Sequence, residues 1–213
     1  MRAFGELFAI LIIGLFVGGA LAWLSIQKNH GFGTLTIGQW TAWPQAGSIN
    51  ADPYSKAKVA ADGDVPLGAA EGIAFHAIAD QRGNTLRRNC QYKLSGLTPP
   101  ARLWTLAAHD LDDRALFKSD GRSSNLVSRE LLRESNGQFV IFAGPELASK
   151  NWLEIDRGDE NNVSSGGDQN GGSGGTRREP FKLILRLYDS PVTSAGREAD
   201  ASMPTVTLIG CKS

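Results

Sequence analysis

The chain is 213 residues long and sets 22 Lys+Arg against 22 Asp+Glu, a formal net charge of +0. Without a basic excess or stripe it lacks what general nucleic-acid and anionic-lipid binders carry, so no nucleic acid is expected as a partner. Two cysteines and three scattered histidines do not make the closely spaced ligand set of a zinc site, and no cofactor is expected.

Leu7 to Ile26 (LFAILIIGLFVGGALAWLSI) is uncharged throughout, about the twenty residues a helix needs to cross a bilayer. The residues before it carry Arg2 and the terminal amine against Glu6. Such a short, weakly positive head stays in the cytoplasm while the rest is translocated. Two other readings stand beside this anchor. Ala20-Leu21-Ala22 has the small-x-small form of a signal-peptidase site, which would make the segment a cleaved leader; the third reading is a buried apolar helix. The plan is a cytoplasmic N-terminus at 1–6, an anchor or signal at 7–26, a tether at 27–39 and an exported domain at 40–213. The expected location is the inner membrane, single-pass, with the domain facing the periplasm.

Within the Gly- and Trp-bearing stretch that follows, Thr34-Leu35-Thr36-Ile37 is a short strand. Asp52-Pro53 opens the one clear helix, with an Asp cap, Pro at the first helical position and Tyr54 to Ala61 before Gly63. The pattern then turns to period two. Strands are expected at Ile73–Ala79, Leu86–Leu94, Arg102–His109, Gln138–Ala143, Phe181–Tyr188 and Pro204–Ile209. Asn125 to Leu132 fits a strand or a short helix. Gly158 to Gly175 is low in complexity and reads as a flexible loop inserted in the domain, between the core anchors Trp152 and Phe181. Six to eight strands with little helix predict an antiparallel β-sandwich or barrel.

In an exported compartment Cys90 and Cys211 are expected to form a disulfide clamping the last strand to a central one. Their separation of 121 residues gives about 4–5 kcal/mol by the chain-entropy model. Two buried free thiols are the alternative.

No other motif names a reaction. Ser173 satisfies G-x-S-x-G inside a glycine tract with no elbow, histidine or acid to serve it. Arg157-Gly158-Asp159 and the sequon at Asn162 share that polar segment. Asp110, Asp112 and Asp113, with Asp120, are a weak Ca²⁺ candidate lacking EF-type spacing, and turns collect aspartates anyway. His76 and His109 read as strand histidines, and His30 lies in the tether. Trp104, Trp152, Arg186 and Tyr188 form a candidate ligand surface, with aromatic core and one paired arginine as the bland reading. Alternation puts Arg186 opposite Leu185 and Leu187; inside a sandwich it would need a carboxylate, Glu71 or Asp80.

The order of blocks Trp43-Pro44, Asp52-Pro53-Tyr54, Pro66-Leu67-Gly68, Glu71-Gly72, Cys90-Gln91-Tyr92, Arg102-Leu103-Trp104-Thr105-Leu106, Asn151-Trp152-Leu153 and Leu185-Arg186-Leu187-Tyr188-Asp189 resembles the bacterial family catalogued as domain of unknown function 1214. The resemblance is to its short membrane-tethered form and runs from about Trp40 to Cys211. It implies a jelly-roll-like β-sandwich. It also implies a separate partner protein, because longer relatives fuse this domain to a second one. After the Asn-Trp-Leu block, Glu154-Ile155-Asp156 and the Gly/Asn loop replace the family's proline-bearing link. The functional expectation is a non-enzymatic binding or assembly module of the cell envelope, meeting a protein partner or a glycan. The alternative is a hydrolase or lyase acting on an envelope glycan or glycopeptide, which would need paired carboxylates such as Glu71 and Asp110.

Overall fold

The computed structural model describes residues 2–27, 34–62, 66–68, 70–118, 120–156, 179–190 and 202–212. The apolar N-terminal run, free of proline, forms one helix, α1 (Arg2–Gln27). Its large side chains face outward: Phe8, Leu15, Phe16 and Trp23 are each more than half exposed. Among the described residues no helix is long and apolar enough to cross a membrane. The second helix, α2 (Pro53–Asp62), starts as expected. Asp52 Oδ1 accepts from the Ser55 amide at 3.0 Å, satisfying one free donor of the first turn.

The remaining elements form two sheets. The larger has the order β1 (Leu35–Ile37), β2 (Trp40–Ala42), β3 (Gly72–Ala77), β9 (Lys182–Tyr188), β5 (Leu103–His109) and β6 (Asn125–Val127). The smaller has the order β10 (Thr205–Cys211), β4 (Cys90–Gly96), β7 (Phe139–Gly144) and β8 (Asn151–Glu154). Alternation sorts each strand: Phe75, Leu106, Leu183, Leu185 and Leu187 of the large sheet meet Leu94, Phe139, Ile141 and Leu153 of the small one in a single apolar core. Trp104 and Phe139 touch across it with ring centroids 5.1 Å apart.

Three features differ from the sequence reading. First, β1 and β2 lie in the stretch read as tether and its junction, yet they pair in register from Leu35↔Ala42 to Ile37↔Trp40 and edge the large sheet. Gly38, at φ 59°, takes the positive-φ corner of their two-residue turn. Second, the sandwich is not wholly antiparallel, because β8 runs parallel to β7. Asn151 fixes that return: its side-chain amide donates to the carbonyls of Leu132 and Val140, each at 2.9 Å, and its oxygen accepts from the Leu132 amide at 2.7 Å. Third, strand β4 begins only at Cys90, since Thr85 and Arg87 make isolated bridges to Ala79 and Pro180. The loop predicted over 158–175, with Ser173, the Arg157-Gly158-Asp159 triplet and the sequon, lies outside the described residues, as does His30.

The turn after β3 is held by Asp80, which is 2 % exposed. Its Oδ1 accepts from the amides of Arg82 and Asn84 at 2.8 and 2.9 Å, and Oδ2 from the Asn84 side chain at 3.2 Å. Burial pushes this carboxyl up, but the hydrogen bonds from Asn84 and Arg82 outweigh it, and the net shift is below the usual aspartate value. A carboxyl depressed in the folded state stabilises fully above its unfolded pKa, and the contribution is lost as pH falls through the lower folded value. Asp80→Asn is therefore expected to flatten the acid side of a melting-midpoint profile below about pH 4. An unchanged acid slope would remove Asp80 from the acid response.

Candidate functional site

Register assigns the outward residues of the large sheet to rows. One row reads Ala74, Arg186, Thr105 and Val127 across β3, β9, β5 and β6. On one side of it lies Gly72–Tyr188–Leu103; on the other, His76–Ile184–Ala107. Arg186 thus stands at the centre of the outer face, with small residues beside it and Tyr188 two positions along the same strand. Leu185 and Leu187, its sequence neighbours, are buried on the opposite side.

The residues that could neutralise Arg186 are otherwise engaged. Asp80 is committed to its turn, Glu71 Oε2 accepts from the Gly68 amide at 3.2 Å, and Asp189 faces Arg102 at 3.7 Å. Among the described residues, Arg186 has no ion pair, and neither it, Tyr188 nor Thr105 has a side-chain hydrogen bond. Three donors thus share one partly exposed patch. Gly72, buried opposite Tyr188, has no room for a side chain: a Cβ there would stand 2.1 Å from the Leu187 carbonyl oxygen, so the close approach of β3 to β9 requires glycine. At the neighbouring row, His76 meets the edge of Trp43 at 5.7 Å.

The other sequence candidates fall elsewhere. Trp104 is 3 % exposed, inside the core, with the Arg133 guanidinium 5.9 Å from its ring. Trp152 is half-buried on the small sheet, donating from Nε1 to the Gly144 carbonyl at 3.0 Å. Arg186 and Tyr188 therefore share a surface that Trp104 and Trp152 do not. His76 and His109 both face outward, but β9 runs between their strands.

The aspartate cluster is arranged as a turn clamp. Lys182, 8 % exposed, places Nζ 2.6 Å from Asp113 Oδ2 and 3.3 Å from the Leu111 carbonyl. Asp110 Oδ1 accepts from the Arg114 amide at 2.8 Å, and Asp120 pairs with Arg122. Among the described residues no group of three or more His, Cys, Asp or Glu is placed to hold a metal ion.

Cys90 and Cys211 are joined by a disulfide and are direct partners in the β4–β10 ladder. Beside the bond lies a small open hollow lined by Asn89, Gln91, Glu146, Ile209 and Lys212. It is crossed by a Lys212–Glu146 ion pair at 2.8 Å.

What the residue pattern alone missed is which residues flank Arg186. Ala74 and Thr105 become its neighbours only through cross-strand register, and no spacing in the chain signals it.

Comparison with known proteins bears on fold and family. A family model described as "Protein of unknown function (DUF1214)" matches residues 71–165, a span that begins just before β3 and extends past β8. No curated protein matches the chain. Among solved structures, the chain is similar to the VPA0106 protein from Vibrio parahaemolyticus at 16% identity and a TM-score of 0.57, over 96% of this chain and 46% of that one. A second match is an uncharacterized protein from Burkholderia cenocepacia, at 13% identity and a TM-score of 0.39, over 94% of this chain and 52% of that one. The chain spans about half the length of each, and the first likeness is one of fold.

Proposed function

Through residues 71–165 the chain belongs to the DUF1214 family, and from that premise we propose that it is a membrane-tethered envelope module that binds with the outer face of its six-stranded sheet. The observation that carries the tether is α1, whose large apolar side chains, such as Phe8, Leu11, Leu15, Phe16, Leu21 and Trp23, stand exposed instead of joining the sandwich core. Exposed apolar surface on that scale calls for a cover, and on the full sequence the uncharged run extends from Leu7 to Ile26, long enough for the lipid core of a bilayer to supply it. The disulfide fits the same placement, since such bonds persist on the oxidising side of a membrane.

In this reading the sandwich, wound in jelly-roll-like fashion, faces the periplasm and works by binding. The binding face is the patch around Arg186 and Tyr188, and its partner is an envelope protein or glycan. Expressed in a bacterium, the full chain is expected to stay in the membrane pellet through alkaline carbonate extraction. A variant with Leu11→Lys, Leu15→Lys and Val17→Lys should appear in the supernatant. Release of the unaltered chain by carbonate would overturn the tether.

A further inference from the structure

We propose that Arg186, Tyr188 and Thr105 form a recognition site for a carboxylate group, offered by an acidic sugar or by a peptide. This rests on the reading of the outer face as the binding face and deepens it by naming the ligand chemistry. The charge is the first reason. Arg186 is a partly buried cation with no ion pair among the described residues, and the candidate acids Asp80, Glu71 and Asp189 serve other partners. A guanidinium presents its donors as a planar fork that matches a carboxylate with two parallel bonds.

The second reason is the set of groups around it. Thr105 sits directly across the ladder from Arg186, at roughly 5 Å between Cβ atoms. Tyr188 is two residues along the same face, roughly 7 Å away. Both carry hydroxyls without an internal partner among the described residues. One carboxylate has about four lone-pair sites, so a ligand seated on the fork has acceptors left for a hydroxyl on either side.

The third reason is the small neighbour across the ladder. Ala74, directly opposite Arg186 on β3, is partly exposed and has only a methyl side chain, whereas a longer side chain there would crowd the guanidinium. A positive charge without an ion pair among the described residues selects an anion over a neutral sugar.

The test is a titration of ¹⁵N-labelled full-length protein in neutral detergent micelles, reading the Arg186 Nε–Hε resonance. Sodium glucuronate and N-acetylglycine serve as the two carboxylate probes, with methyl glucoside as the uncharged control. A saturable shift with either acid, and none with methyl glucoside, is expected; which acid binds more tightly identifies the source. Arg186→Gln should weaken binding about 10- to 100-fold, as loss of a charged hydrogen-bond donor does, and Tyr188→Phe by several fold. Because Arg186 holds no internal partner among the described residues, its variant should melt with the unaltered protein. Arg186→Lys, which keeps the charge but not the fork, should recover only part of the affinity.

No shift with either acid would overturn the proposal. So would an equal response to methyl glucoside, or an equal shift at the exposed Arg114. Any of these in a chain that still resists carbonate extraction would overturn the ligand chemistry and leave the tether standing.

Discussion

Replacing Cys90 and Cys211 together by alanine is expected to lower the unfolding free energy by about 2–5 kcal/mol and the melting midpoint by about 5–20 °C. The effect should also be uneven along β10. Its first half is held from several sides: Trp40 Nε1 and Gln39 Nε2 donate to the Pro204 carbonyl at 2.7 and 2.9 Å, and the Gln81 amide donates to the Val206 carbonyl at 2.9 Å. The second half follows a register shift between Leu208 and Gly210 and stands at the sheet edge, with Ile209 55% exposed. There the disulfide and the Lys212 amide's bond to the Asn89 carbonyl at 3.0 Å hold the strand down. Hydrogen exchange in the double variant should therefore rise first from Ile209 to Lys212 and at Cys90–Gln91, while Thr205–Thr207 stay protected. A midpoint unchanged in the variant, or uniform exchange along β10, would show that the bond does not latch this edge.

Trp40→Ala is expected to cost about 3–5 kcal/mol, more than any surface change, although the residue opens what the sequence presents as the start of the domain. Its side chain is fully buried, and its indole N–H ties β2 to the residue before β10, 164 positions away. Trp40 thus joins the large sheet to the small one at the point where the chain closes. Trp40→Phe keeps most of the packing and should cost about 0.5–1.5 kcal/mol, since Gln39 Nε2 still satisfies the Pro204 carbonyl. Urea unfolding of both variants separates packing from hydrogen bonding. Equal costs for the two would place the whole effect in the indole hydrogen bond.

These two cases also show where the sequence is legible. β5 is plain because its burial alternates over seven residues, and β9 because Leu183, Leu185 and Leu187 recur at every second position, although Lys182 and Ile184 on its other face are buried too. Asp52-Pro53 is plain because capping is local chemistry. The disulfide follows from count and compartment. By contrast, β2 spans three residues and is a strand only because β3 and β1 lie on either side of it. β8 is hidden for a related reason: Asn151 makes it a strand by reaching Leu132 and Val140, which no window of sequence contains.

The candidate site divides the same way. The face that Arg186 takes is readable from Leu185 and Leu187. That Trp104 and Trp152 belong to other surfaces, and that small residues flank Arg186, depends on how four strands align. Asp110, Asp112 and Asp113 resemble ligands in sequence, but Lys182, from a strand some seventy residues on, claims Asp113.

The most direct measurement is labelling of a Leu147→Cys variant, at a position 82% exposed on the sandwich, with a membrane-impermeant maleimide. In cells whose outer membrane has been made permeable, with the inner membrane intact, the engineered thiol should react at once and the Cys90–Cys211 pair should not. Labelling that appears only after the inner membrane is lysed would place the sandwich on the cytoplasmic side and contradict the tethered, outward-facing module.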